Sequence, residues 1–348
     1  MSPPQQPVPE EFECRVTDYA GVEAQIVALR NANRQSAQSI PYMDWRYRTA
    51  ESAHQPRVFW IDDKQGTAVG MAGLIPRTFW IDGKPEAVAV LGDISVNAAQ
   101  RGKGLGKKLL GFMTRHTDQQ FPQRRNLVIP TDAARNALAA SGWENGGMLV
   151  RHVLLLDLAR KLEWLPAARV FAKPLVAVYR RLAQGLLRLK GGAATTLETG
   201  TGYDARFDEF WRAVPKAGLC IADRSAATLA WRYAAHPLRR FQWVGSSDAG
   251  ALSAYLIFEL DAGTCTIYDV LGRSQRDVSR LLTAFIAKLF GQQIYEVQVT
   301  LNDCHPYRPA FRGLGFLARD RVVFQYHDPS TRPGDAPRWV LTHGDKDI

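Results

Sequence analysis

Six consecutive residues in this 348-residue chain, Arg101-Gly102-Lys103-Gly104-Leu105-Gly106, have the types and spacing of a ligand cradle. Glycine at alternate positions lets backbone approach a bound group closely. The amphipathic run GKKLLGFMTRH (106–116) follows and reads as a helix whose first amides have no intrahelical acceptor. With Arg101 and Lys103 adding positive charge, the segment suits a pyrophosphate. Just upstream, Asp93 lies inside the apolar run AVAVLGDISV (87–96). Burial there would raise its pKa toward that of a useful general base. The other chemistries are poorly represented. No serine–histidine–acid arrangement is legible, and Cys14, Cys220, Cys265 and Cys304 are too dispersed for a metal site. No metal is expected.

The elements that must position these residues occur twice. Trp45-Arg46-Tyr47 recurs as Trp231-Arg232-Tyr233, GDISVNAAQRGKGLG (92–106) aligns with YDVLGRSQRD (268–277), and AASGW (139–143) aligns with FRGLGF (311–316). The second alignment pairs Asp93 with Asp269. Each copy reads as antiparallel strands, a helix, a strand, a short helix and a last strand. Asp82-Gly83 between two apolar runs marks a tight hairpin. The fold class is therefore α/β with a mixed α+β sheet, used in tandem. The second copy keeps a single glycine in its loop, Gly272, and Asp277 there would repel phosphate, so only the first copy is expected to hold the ligand.

A strand, the segment RGKGLG, a helix and a later Gly-Trp together resemble the GCN5-related N-acetyltransferases. Their signature Arg/Gln-x-x-Gly-x-Gly/Ala is matched by Arg101, Gly104 and Gly106. The resemblance implies that acetyl-CoA or another acyl-CoA is the co-substrate, its pyrophosphate held by backbone of Gly102, Lys103, Gly104, Leu105 and Gly106. It further implies a strand splayed from its neighbour, with pantetheine bonded near Ser95 and an oxyanion donor near Val96. Asp93 is the candidate base. The family's tyrosine acid falls on Leu138, which cannot serve, so Tyr47 is named as a substitute and Tyr42 as another. Thr131 takes the place of a cofactor-binding asparagine. The tandem layout also resembles acetyltransferases of bacterial polysaccharide gene clusters, which makes an amine acceptor, small molecule or amino sugar of a glycan, the expectation. A non-catalytic acyl-CoA-binding protein and a Fem-like aminoacyl transferase are the alternatives.

The domain boundaries expected from composition are a disordered leader at 1–11, an acyl-CoA-binding domain at 12–156, a connector at 157–202, a degenerate copy at 203–328 and a polar tail at 329–348. Net charge is +10, and Arg160–Lys190 alone carries eight basic residues against Glu163. This basic amphipathic connector could lie on an anionic membrane surface. No aromatic–basic interleaving suggests nucleic acid. Dispersed cysteines, no signal-like start and no apolar run long enough to span a membrane point to the cytoplasm, with the inner membrane surface as the peripheral option.

Overall fold

The computed structural model describes residues 11–34, 36–48, 55–157, 185, 195–290, 292–330 and 337–345. Almost all of the expected leader, and every charged residue of the basic run 160–190, lie outside the described residues. The chain divides into two compact units. Unit 1 is Met1–Gly147 with Val323–Pro337, and unit 2 is Met148–Val322 with Arg338–Asp347.

Unit 1 comprises β1 (Glu13–Asp18), α1 (Glu23–Asn33), α2 (Ile40–Tyr47), β2 (Arg57–Asp62), β3 (Ala68–Ile81), β4 (Lys84–Val96), α3 (Leu105–Gln120), β5 (Asn126–Val128) and α4 (Asp132–Ala139). Strands β1 to β4 pair antiparallel in sequence order, and β5 joins β4 in parallel. The hairpin turn falls where the sequence placed it: Ile81 pairs with Lys84, and Asp82 and Gly83 take φ of +50° and +78°. Both faces of the sheet are covered, as a parallel pair requires. Alternating side chains of β2 divide between them. Phe59 and Ile61 pack with Leu105, Leu109 and Met113 of α3, while Val58 and Trp60 pack with Ile26, Met43 and Tyr47 of α1 and α2. Tyr47 needs a gap in the sheet to fit. A Cβ on Gly73 would fall 1.9 Å from its hydroxyl.

Unit 2 repeats this topology. Its strands are β6 (Glu144–Leu155, of which Leu149–Leu155 pair here), β7 (Glu198–Gly200), β8 (Cys220–Ala222), β9 (Gln242–Asp248), β10 (Ala251–Asp261), β11 (Thr264–Gly272) and β12 (Glu296–Asn302). Its helices are α5 (Ala205–Ala213), α6 (Ala226–Leu229), α7 (Gln275–Leu289) and α8 (Arg308–Gly313). Strands β7, β9, β10 and β11 pair antiparallel, β12 joins β11 in parallel, and the sheet closes antiparallel on β6. The equivalence extends to details. Trp143 and Phe316 each return their amide to the carbonyl five residues back, past Gly142 at φ +86° and Gly315 at φ +87°.

The expected boundaries at 156 and 203 are corrected by the strand pairing. Residues 149–155 belong to unit 2, beside β12, and β7 lies inside what the composition marked as connector. The sixth strand of unit 1 comes instead from β13 (Leu317–His327), whose Gln325–His327 pairs with β5. Tyr326 bonds Glu144, His327 bonds Asp118 at 2.8 Å and stacks on Trp143, and Phe324 packs over Gly146. Each unit is thus completed by a strand from the other half of the sequence. The expected polar tail is corrected as well: β14 (Trp339–Val340) pairs with β8, and Trp339, Leu341 and Asp345 are buried. Six uncharged residues between Arg338 and Asp345 show no period, so nothing in their pattern marks a buried segment.

A chain ending at Asp157 should leave the β5 edge unpaired and self-associate. Co-expression with residues 158–348 should return it to a monodisperse complex by size exclusion; a monodisperse 1–157 on its own would contradict the exchange.

Candidate active site

The glycine loop of unit 1 has the geometry of an anion cradle. After a short 3₁₀ turn, Ala98–Gln100, Gly102 takes φ +83° and Gly104 takes φ +74°, and Gly104 is the N-cap of α3. Glycine is needed at both for that reason. Gly106 is different. Its φ is not left-handed, and a Cβ there would meet nothing within 4 Å. Internal packing therefore does not account for glycine at this position, whereas a ligand pressed against the helix would. The first intrahelical bond is from Lys108 to Gly104, so the Leu105 and Gly106 amides precede the ladder. Leu105 buries its side chain in the core. Arg101 donates to the Val96 carbonyl at 3.2 Å and Lys103 to Gln100 at 2.6 Å.

Beside the loop, β4 loses its neighbour. Strand β5 pairs with Ala89, Val90 and Leu91 only, so the edge from Gly92 to Val96 is uncovered. Which amides face this slot is decided by a bulge. Ala89 donates to Arg125, toward β5, and strict alternation would send the Val96 amide toward β3. The register shifts between Gly92, opposite Gly73, and Ser95, opposite Met71. Asn97 then donates to Val69 on β3, which places the Val96 N–H on the slot side. Ser95 is buried and turned to β3, so it lies outside the slot. Thr131, exposed at the N-cap of α4, makes no side-chain cap and follows β5 by three residues.

Asp93 forms the bulge, at φ +51°. Its carboxylate is buried and receives Arg30 Nε at 3.1 Å, Arg46 Nε at 3.5 Å and the Tyr47 hydroxyl at 3.1 Å. Burial pushes the carboxyl up, but Arg46 and then Arg30 outweigh it and hold the group below the usual carboxylate range. An anion so stabilised is a poor proton acceptor, which corrects the general-base expectation. Tyr47 is corrected with it: burial and Asp93 push its phenol well above the usual value, and its proton is committed to Asp93. Tyr42 packs on Trp45 in the core at 5.6 Å between ring centres. Leu138 is also core, and Asn136 is exposed on α4. Pattern reading missed Arg30 and Arg34, because nothing in the period of α1 distinguishes a buried arginine from a solvated one. It also missed Asn33, which bonds Asn97 at 2.9 Å and ties α1 to the loop.

The second copy fills the equivalent slot. Arg273 donates to Ser253 on β10, so Gly272 stands where Val96 does, its amide facing the uncovered edge. There the Tyr307 hydroxyl accepts from Gly272 N–H at 3.2 Å and donates to its carbonyl at 2.5 Å. Tyr307 is the N-cap of α8, the position of Thr131 in unit 1. The C-terminal segment occupies the rest. Asn302 donates to Leu341, Leu341 to the Asn302 side chain, and Leu301 bridges Thr342, along the edge of β12 that β11 vacates. Helix α7 also lacks an open start, since Ser274 caps the Asp277 amide.

Residues 26–140 match the model of the Acetyltransferase (GNAT) family, the family read from the sequence. Among solved structures, a GCN5-related N-acetyltransferase from Anabaena variabilis shares 14% identity at a TM-score of 0.63, over 91% of this chain and 73% of that one. A tandem GNAT protein from the clavulanic acid biosynthesis pathway shares 19% identity at a TM-score of 0.53, over 92% of this chain and 100% of that one. Saccharomyces cerevisiae N-myristoyltransferase with bound myristoyl-CoA shares 12% at a TM-score of 0.55, over 94% and 85%. No curated protein sequence matches the chain. The fold is that of a tandem GNAT protein.

Asp93→Asn keeps the shape and tolerates the left-handed backbone but leaves two buried guanidinium groups without their anion. It should cost about 3–5 kcal/mol at neutral pH in denaturant unfolding. Since the folded-state pKa lies below the unfolded one, the wild-type advantage is full above pH ~4 and lost as pH falls through the lower, folded value. An advantage that persists unchanged in acid would contradict the ion-pair reading.

Proposed function

We propose that unit 1 transfers an acyl group, acetyl in the simplest case, from acyl-CoA to a primary amine. The observation that carries this is the Val96 amide, directed by the bulge onto an uncovered strand edge that leads from the glycine loop. Pyrophosphate would lie against the Leu105 and Gly106 amides at the start of α3. Pantetheine would run along β4 as an added edge partner, with Thr131 within reach from the far side. The thioester carbonyl would then meet the Val96 N–H.

The amine nitrogen bonds to the thioester carbon while the carbonyl oxygen gains charge, which Val96 N–H stabilises. A donor of this kind contributes ~10²–10³ in rate. Collapse breaks the carbon–sulfur bond and releases coenzyme A as thiolate, which takes a proton from water. Asp93 is held by its arginines and Tyr47 by Asp93, so the ammonium proton of the acceptor passes to water. Most of the acceleration then comes from holding amine and thioester together. The acceptor is an amine of a small molecule, amino sugars included. Residues 160–190 remain a proposed contact with an anionic membrane surface.

Two substitutions test the cradle by calorimetric titration with acetyl-CoA. Gly106→Glu places a carboxylate where phosphate would sit, and an acid in the first turn stabilises the helix. Thr131→Tyr gives unit 1 the tyrosine that fills the slot of unit 2. Both should fold normally and lose acetyl-CoA binding, with Thr131→Ser retaining it; unchanged affinity in Gly106→Glu refutes the cradle. For an active acceptor, kcat/KM should rise with pH along the titration of the acceptor's own amine, and an inflection belonging to an enzyme carboxylate would refute the water-mediated route.

A further inference from the structure

The inner end of the slot carries more positive charge than the fold uses. Arg30 and Arg46 share the single carboxylate of Asp93. A third guanidinium, Arg34, follows directly on α1 and reaches the same place. Its hydrogen bond is from Nη2 to the Ile94 carbonyl, at 3.5 Å. Ile94 is two residues before Val96, so its carbonyl faces the same uncovered edge. No acidic side chain among the described residues lies within ion-pair distance of Arg34. Three cations thus stand around one anion, and the third keeps most of its five donors unused.

That surplus is costly for the protein alone. Arg34 is exposed, so its guanidinium is open to a ligand, and desolvation lowers its pKa, with Asp93 acting the opposite way and Arg30 and Arg46 reinforcing the loss. An accessible cation facing two others is stabilised when an anion joins it. The order of groups along β4 says what brings the anion. Acyl-CoA would occupy the slot from the glycine loop to Val96, and the amine must meet the thioester from the remaining side, where Ile94 and Arg34 stand. Two residues of strand separate those points by about 7 Å.

On the reading of unit 1 as the acyl-CoA site, we propose that Arg34 binds an anionic group of the acceptor, a carboxylate or a phosphate, held within about 7 Å of the reacting amine. The acceptor is then an amino acid-like or phosphorylated amine rather than a neutral or polycationic one. Arginine's planar fork suits both oxyanions. The surrounding excess charge draws such acceptors toward the slot and repels polyamines.

The test is calorimetric titration of CoA-saturated protein with two matched pairs, glucosamine 6-phosphate against glucosamine and β-alanine against β-alaninamide. The phosphate pair and the carboxylate pair distinguish the two sources of the anion. The anionic member of at least one pair should bind roughly 10- to 100-fold more tightly than its neutral partner. Arg34→Gln should abolish the difference, and Arg34→Lys, which keeps the charge without the fork, should retain part of it. Equal affinity within both pairs, no binding by either anion, or full discrimination in Arg34→Gln overturns the proposal. Acetyl-CoA affinity is measured on the same samples. Its absence in the wild type refutes the acyl-CoA reading, whereas the anion titrations, repeated without coenzyme A, still report on Arg34.

Discussion

A carboxylate buried between two arginines fixes the path of β4, and the path of β4 decides what unit 1 offers a ligand. Asp93 adopts a backbone conformation that costs an L-residue free energy, at the point where the strand carries one residue too many for its partner. Arg30 from α1 and Arg46 from α2 hold it there. Because side-chain and amide directions alternate along a strand, one extra residue reverses every group beyond it. The Val96 amide faces the slot for this reason. A buried ion pair seldom adds net stability over an apolar replacement. Its contribution here is to specify one register out of two.

The same device in unit 2 serves a different end. Asp269 is the counterpart of Asp93, again beside a register shift, and Arg224 meets it at 2.6 Å. Arg232, the counterpart of Arg46, pairs instead with Asp345 from the C-terminal segment, which Arg224 also holds. The second copy thus uses its arginines to bind a piece of its own chain where the first leaves a slot open. Both copies retain the scaffold, and the occupant of the slot separates them.

The legible parts of this protein were those written in local sequence. Glycines at 102 and 104 announce left-handed backbone, Asp82-Gly83 announces a hairpin, and Trp-Arg-Tyr twice announces a repeat. The splayed strand and an oxyanion donor near Val96 came from resemblance; in the structure β4 has no strand partner beyond Leu91 on the β5 side, and the pairing of Asn97 with Val69 turns the Val96 amide that way. Asp93 reads as a base in the sequence because an acid in an apolar run looks the same whether it is poised as a base or clamped by arginines from distant helices. Arg30 and Arg34 lie some sixty residues away in sequence and give no local sign of where they point. The buried tail was hidden because two paired residues, Trp339 and Val340, are too few to show a period.

The crossed strands bear on how such a chain is made. As synthesis proceeds along the chain, β1 to β5 and their helices are made first, yet the strand that closes their sheet follows only after β12 and α8 of the other unit. The residues that follow α4 belong to a sheet whose other members have not yet been made. The nascent first half must therefore wait with an open edge, a liability for any sheet. Inheritance is constrained in the same way. Neither copy can be shuffled into another protein by a single crossover, because each carries a strand the other needs.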